Sequence, residues 1–149
     1  MNNKYLVILG ILLVAGVVAI SGCTDSSTNT TSSSNPSTSA EAHFKIENLK
    51  VSNEGYGGYA IKGELTPNKD ISYLEMVTVW YDSSGAVIER NSLAWNMNDL
   101  KSGQKVKFST NDYLGTDAGS PSKVELLVFD GPFSGGDDSS AIYRTTLQV

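Results

Sequence analysis

Apolar and polar residues alternate with a period of two along much of this chain. From Tyr59 to Leu65 the odd-numbered positions are apolar or small, whereas Lys62 and Glu64 point to the opposite side. Successive side chains of a strand point to opposite faces, so this alternation predicts half-buried β-strands. Residues 41–149 contain no convincing apolar period of 3.6, the pattern of a helix packed on a core. The folded part is therefore expected to be all-β.

Seven such strands can be counted between residues 43 and 149, separated by polar turns. Asp82-Ser83-Ser84-Gly85 and Leu100-Lys101-Ser102-Gly103 are typical turn sequences. Strands of this number and spacing predict an immunoglobulin-like two-sheet antiparallel sandwich. Between Phe44 and Val51 the apolar residues change face, which indicates a β-bulge. The expected core comprises Phe44, Ile46, Ile61, Leu65, Leu74, Trp80, Leu93, Phe108, Leu126, Val128, Tyr143 and Leu147.

The N-terminus has a different pattern. Lys4 precedes an apolar stretch of 16 residues from Tyr5 to Ile20, and small residues follow it. A membrane-spanning helix needs about 20 apolar residues, so a signal peptide over residues 1–22 is expected rather than an uncleaved helix anchor. Ile20-Ser21-Gly22-Cys23 resembles a lipobox, the processing motif of prokaryotic lipoproteins. That resemblance implies lipid attachment to Cys23, cleavage before it, and anchoring at the outer face of the cell membrane.

Residues 23–40 have too little apolar surface to form a core. Ser and Thr occupy 12 of the 16 positions from 24 to 39. Apolar burial cannot offset the entropy lost on ordering such a segment, so a disordered tether is expected. Asn29-Thr30-Thr31 within it is an N-glycosylation sequon. The remaining residues, 41–149, have an ordinary length for one domain.

Charge and residue counts exclude several classes of protein. The chain carries a formal charge of −5, with 11 Lys and Arg against 16 Asp and Glu, so it lacks the basic stripe that nucleic-acid binding needs. One Cys and one His cannot form a Cys₂His₂ zinc site. His43, the single imidazole, lies where the tether meets the first strand, a poor position for a preorganised general base. We therefore expect no catalytic residues and no enzymatic activity.

A second resemblance covers roughly Phe44 to Phe129. Trp80-Tyr81-Asp82, the following Gly-containing turn and a β-branched pair resemble the hairpin of the FxLYD domain, and Asn98 to Gln104 is similar to that family's turn before its next strand. Thr78 and Trp80 stand where the naming motif has Phe and Leu. The resemblance implies an extracytoplasmic β-sandwich of a lipoprotein, without an established enzymatic activity. The whole plan resembles archaeal surface lipoproteins.

One loop could bind a metal ion. Asp130, Asp137 and Asp138 lie near the two ends of a Gly-rich segment, and carboxylates on adaptable loops are ligands for Ca²⁺. The alternative is that acidic turns only keep the domain soluble. We expect the loop from Asp130 to Asp138 to be the most mobile in the domain.

Aromatic side chains form the other candidate site. Exposed rings stack on sugars or on the side chains of a partner, and Trp95, Tyr59 and Tyr81 are the candidates for such a face. A solvent-facing Trp95 would favour a sugar site, and a buried Trp95 would argue against it.

These patterns predict a membrane-anchored extracytoplasmic lipoprotein that contacts membrane lipid through Cys23. Its sandwich is expected to be a non-catalytic binding or scaffolding module for an unknown protein or glycan partner, with no cofactor other than the candidate calcium ion. The alternatives are a carbohydrate-binding module that uses surface aromatics and, in third place, a secreted hydrolase.

Overall fold

The computed structural model describes residues 43–149, which form eight strands and one short 3₁₀ helix, Asp138–Ser140. No helix within these residues is long and apolar enough to cross a membrane. The strands are β1 (Phe44–Gly55), β2 (Gly58–Pro67), β3 (Ile71–Tyr81), β4 (Val87–Leu100), β5 (Val106–Ser109), β6 (Asp112–Tyr113), β7 (Lys123–Phe129) and β8 (Tyr143–Gln148).

The strands form two antiparallel sheets. Sheet A has the order β1-β2-β5, and β6 also pairs with β2; sheet B has the order β4-β3-β7-β8. This arrangement confirms the predicted two-sheet sandwich. The eighth strand, β6, is only two residues long and was not among the seven predicted strands. Two residues are too few to show an alternating pattern.

The space between the sheets holds the main core, which contains most of the predicted residues, from Phe44 on β1 to Tyr143 on β8. Ile46 and Leu147 are partly buried against it. Leu93 is the exception, because its side chain is 47% exposed and the prediction that it belongs to the core was wrong. Between the pairs Met76–Trp95 and Thr78–Asn91, three residues of β4 stand opposite one residue of β3, and this bulge turns Leu93 outward.

The predicted bulge in β1 is confirmed. The register between β1 and β2 shifts between Glu47 and Lys50, and Asn48 has a positive φ of 58°. The one extra residue on β1 shifts the alternation, so that the odd-numbered side chains point inward after the bulge. Leu49 and Val51 therefore pack on the same core as Ile46.

A second apolar cluster lies on the outer face of sheet B, because β3 and β7 are apolar on both faces. It consists of Val77, Val79, Leu127 and Phe129, all buried. Asp130–Ile142, which we call the strap, covers this cluster. Gly135 lies so close to Val77 that a Cβ atom at Gly135 would be 2.6 Å from Val77 Cγ2.

Two side chains of sheet B hold the strap. The carboxylate of Glu75 is fully buried and accepts hydrogen bonds from the backbone N–H groups of Phe133 (2.9 Å) and Gly135 (3.1 Å). Arg90 donates to the carbonyl oxygen of Gly135 and pairs with Asp138 at 2.6 Å. Ala141 packs against the apolar cluster below. The loop predicted to be the most mobile is thus bonded to the sheet at several points.

The predicted turn after β3 gives a test of the backbone. Gly85 has a φ of 86° and donates its N–H to the carbonyl of Asp82 at 3.1 Å. A β-branched side chain is strained in the left-handed region, so Gly85→Val should lower the free energy of unfolding by about 1–2 kcal/mol. Chemical denaturation measures the effect, with Gly136→Val as the control at an open glycine without a positive φ. Equal stability of Gly85→Val and the parent would show that the turn has another conformation.

Candidate ligand-binding face

The two outer faces of the sandwich differ. The outer face of sheet B carries the strap, whereas the outward side chains of sheet A are exposed at Lys50, Lys107 and Ser109. A groove of about 470 Å³ lies on this face of sheet A. Binding sites for small molecules are commonly clefts of about 300–1,000 Å³, so the groove has the size of a ligand site.

The register of sheet A builds this groove. Side chains of directly paired residues point to the same face, so Lys62 on β2 lies between Lys50 on β1 and Ser109 on β5. Glu64 lies opposite Lys107 by the same rule. Strand β2 therefore forms the floor, and β1 and β5 form the two walls.

The groove carries positive charge in a chain whose formal charge is −5. Lys62 pairs with Glu54 at 2.6 Å, and Lys105 pairs with Glu64 at 3.2 Å. Within residues 43–149, Lys50 and Lys107 have no carboxylate within 4.0 Å. Two cationic side chains without an ion pair thus stand on opposite walls.

Glu64 in the groove and Glu54, the partner of Lys62, are both held in the ionised form. The hydrogen bond from Lys62 lowers the pKa of Glu54, and the hydrogen bond from Lys105 lowers the pKa of Glu64. The amide of Asn48, at the bulge, also donates to Glu64 at 3.1 Å. The groove consequently offers both hydrogen-bond donors and ionised acceptors at neutral pH.

A second concavity of about 310 Å³ continues along β2 towards the β1–β2 turn, sharing Lys62 and Ser109 with the first. Its lining includes Gly58, which has no side chain, and Ala60, which has only a methyl group, so the floor is low there. Tyr113 is paired with Gly58 and its ring is 68% exposed at this end of the groove.

The β1–β2 turn exposes another aromatic ring, that of Tyr56. Tyr56 is 95% exposed and lies between Gly55 and Gly57, and all three residues have positive φ. Gly57 approaches the backbone of Gly115 so closely that a Cβ atom would be 2.9 Å away. Neither Tyr56 nor Tyr113 was among the three aromatic residues predicted from the sequence as a ligand face. The Gly-Tyr-Gly sequence was the available signal, because glycines on both sides of a residue are typical of a tight turn, where the backbone adopts positive φ.

The aromatic residues predicted as a ligand face do not form one. Trp95 packs against the core and its ring centroid is 5.8 Å from that of Phe108. Tyr59 is also packed on the core, with its ring 5.2 Å from Trp80. Tyr81 belongs to the cluster on the outer face of sheet B and donates to Glu125 at 2.8 Å. The partly buried Trp95 argues against a sugar site at that position.

Two of the three predicted calcium ligands, Asp137 and Asp138, have other partners. Asp137 accepts from the backbone N–H and the hydroxyl of Ser139, and the hydroxyl bond lowers the pKa of Asp137. Asp138 pairs with Arg90, and Asp130 is exposed at the start of the strap. No group of three or more His, Cys, Asp or Glu side chains in the described part of the chain could hold a metal ion.

Calcium is therefore expected to leave the stability of the chain unchanged. A ligand that binds only the folded state at a hundredfold excess over Kd would add about 2.7 kcal/mol. Thermal melts in chelator and in millimolar Ca²⁺ should give equal midpoints. A rise that disappears in Asp137→Asn/Asp138→Asn would show that these carboxylates bind the ion.

The described residues do not place His43 in a catalytic arrangement. Its Nε2 atom lies 3.4 Å from the ammonium group of Lys69, at the turn before β1. The buried carboxylate of Asp112 lies elsewhere, between the sheets, where it accepts from Thr78, Thr110 and Asn91. These bonds join sheet B to the β5–β6 segment, so Asp112 acts as a structural link.

No protein-family model matches the chain, and no curated protein matches it. Among solved structures, β-glucosidase 3B from Thermotoga neapolitana in complex with glycerol overlaps 72% of this chain and 16% of its own, at 10% identity and a TM-score of 0.41. A GH3 β-glucosidase from Bifidobacterium adolescentis overlaps 71% and 17%, at 12% identity and a TM-score of 0.40. The chain thus spans about a sixth of the length of these enzymes, and a likeness this weak carries no argument about function.

The lipid-attachment residue Cys23, the lipobox residues Ile20, Ser21 and Gly22, and the sequon at Asn29 lie outside the described residues. They stay predictions from the sequence, as does the FxLYD resemblance.

Proposed function

We propose that this chain is a lipid-anchored, non-catalytic binding module on the outer face of the cell membrane. The lipobox-like sequence ending at Cys23 supports the anchor, and the Ser/Thr-rich segment supports a tether between anchor and domain. The groove on sheet A supports the binding role. Its lysines and the exposed ring of Tyr113 provide contacts for a partner, whereas the contact of His43 within residues 43–149 is with the ammonium group of Lys69.

The observation that carries this proposal is the difference between the two outer faces. On sheet B the buried carboxylate of Glu75 holds the strap over an apolar cluster. On sheet A the charged side chains of Lys50 and Lys107 have no ion pair with any residue from 43 to 149, and both lie beside a groove. Unpaired charges at a concave surface are available to a ligand without first breaking an internal bond.

Anchoring is tested by Cys23→Ser in cells that process lipoproteins. The parent chain should be found in the membrane fraction and should incorporate labelled fatty acid. The variant should lose the label, because the sulfur that carries the lipid is absent. Equal labelling of both proteins would exclude Cys23 as the attachment site.

Binding through the groove is tested on intact cells by photo-crosslinking. A benzoylphenylalanine at Ser109, inside the groove, should give adducts with a defined surface component. The same group at Ser120, an exposed serine in the loop before β7, is the matched control and should give none. Equal adducts at the two positions, or none at either, would contradict a binding role for this face.

Carbohydrate recognition is the second candidate. It is favoured by the exposed rings of Tyr113, paired with Gly58 at the end of the groove, and of Tyr56 in the β1–β2 turn, rather than by the three aromatic residues selected from the sequence. Aromatic rings that are held by the backbone and open to solvent stack on the apolar faces of sugars.

A further inference from the structure

Resting on the proposed function, we infer that the groove of sheet A binds an extended acidic glycan chain. Carboxylates of the glycan pair with Lys50 and Lys107 on the two walls, and a sugar ring stacks on Tyr113 at the end. The inference depends on charge, on the mixture of hydrogen-bonding groups and on the shape of the groove.

Charge favours an anionic ligand. Three lysines line the two concavities against two glutamates, and those glutamates are already paired, Glu54 with Lys62 and Glu64 with Lys105. Neighbouring strands lie about 4.8 Å apart, so Lys50 on β1 and Lys107 on β5 are separated by roughly two strand spacings. A single chain lying along β2 can therefore reach both ammonium groups.

The acceptors favour a ligand that also donates hydrogen bonds. Glu54 and Glu64 stand on the same face as the lysines and would repel a uniformly anionic surface such as a phospholipid membrane. Sugar hydroxyls can donate to these carboxylates, while the carboxylates of the glycan accept from Lys50 and Lys107. A ligand with both hydroxyls and carboxylates satisfies both sets of protein groups.

The shape favours a chain rather than a compact molecule. The two concavities share Lys62 and Ser109 and together follow β2 from Gly58 to Glu64. At about 3.3 Å per residue this length is roughly 20 Å. The floor is low at Gly58 and Ala60, and the exposed ring of Tyr113 stands at that end.

The inference is tested with a hexamer of polygalacturonate and its methyl ester, which share one backbone and differ in charge. Binding of the full chain in neutral detergent micelles is measured by calorimetry. The acidic hexamer should bind, and the ester should bind at least about tenfold more weakly because it cannot pair with the lysines. Added salt should weaken binding of the acid, since exposed ion pairs are screened.

Variants assign the binding to the groove. Lys50→Glu/Lys107→Glu should lower the affinity for the acidic hexamer at least about tenfold. Lys69→Glu/Lys123→Glu makes the same change in net charge outside the groove and should stay within about twofold. Tyr113→Ala should weaken binding severalfold, whereas Tyr113→Phe keeps the ring and should bind like the parent. Unchanged thermal midpoints show that each variant is folded.

Equal affinity for the acidic hexamer and its ester would overturn the inference. An equal loss of affinity in Lys50→Glu/Lys107→Glu and in Lys69→Glu/Lys123→Glu would also overturn it. A third result would assign this face to the membrane instead. In that case the chain binds vesicles that contain anionic phospholipid, Lys50→Glu/Lys107→Glu abolishes this binding, and the hexamer does not bind. Adducts at Ser109 on cells without binding of the hexamer would refute the acidic glycan as the ligand but not the proposed binding module. Absence of the adducts and of hexamer binding would refute both the acidic glycan and the binding module.

Discussion

Replacing Glu75 by alanine is expected to lower the free energy of unfolding by about 3 kcal/mol and to release the strap from sheet B. The carboxylate is fully buried and accepts from Phe133 N, Gly135 N and the hydroxyl of Tyr73, the last at 2.9 Å. Without it, three donors lose their acceptor, and each unsatisfied buried donor costs about 1–3 kcal/mol unless the strap moves into water. Release of the strap would expose the apolar cluster of Val77 and Phe129.

Two measurements check this result. Denaturant unfolding gives the loss of stability, and binding of an apolar dye to the folded variant reports the exposed cluster. Glu125→Ala is the matched control, because Glu125 is only half-buried and loses a single bond from Tyr81. A stable Glu75→Ala variant without dye binding would show that the strap does not depend on this carboxylate.

Replacing Asp112 by alanine should also lower the free energy of unfolding by about 3 kcal/mol, through a different mechanism. One oxygen of Asp112 accepts from Thr78 on β3, and the other accepts from Thr110 at 2.7 Å. The hydroxyl of Thr110 in turn accepts from the backbone N–H of Ile61 at 2.8 Å. Removal of the carboxylate therefore leaves buried hydroxyl groups without acceptors between the two sheets.

The comparison of three variants isolates this network. Asp112→Ala should unfold at the lowest denaturant concentration, and Asp112→Asn, which retains one acceptor oxygen, should lie between it and the parent. Asp117→Ala, an exposed aspartate in the same β6–β7 connection, should unfold like the parent. Equal midpoints for Asp112→Ala and Asp117→Ala would contradict a link between the sheets.

Local patterns in the sequence predicted the strands, the turns and most of the core, because these depend on neighbouring residues. The alternation from Tyr59 to Leu65 and the change of face before Val51 were sufficient for β2 and for the bulge in β1. Leu93 was misassigned because it lies inside a bulge of β4, where the alternation of side-chain directions is interrupted.

The candidate site was much less predictable. Tyr56 and Tyr113 lie far apart in the sequence, and only the pairing of Gly58 with Tyr113 brings the second tyrosine to the end of the β1–β2 hairpin. Strand register also places Lys50 beside Lys62, which an isolated strand pattern cannot show. The strap depends on Glu75, whose partners are about 60 residues further along the chain. Contacts of this range require the order of the strands in each sheet, which the sequence patterns left open.

The central claim is that the chain binds its partner through the outer face of sheet A. Amine acylation of the full chain tests it directly, read out for each lysine by mass spectrometry on intact cells and in purified micelles. Lys50 and Lys107 should react at least about threefold more slowly on cells, since a bound partner covers most of the surface of its site. Lys69 and Lys123, outside the groove, should react equally in both settings. Equal rates for all four lysines on cells and in micelles would contradict a binding role for this face.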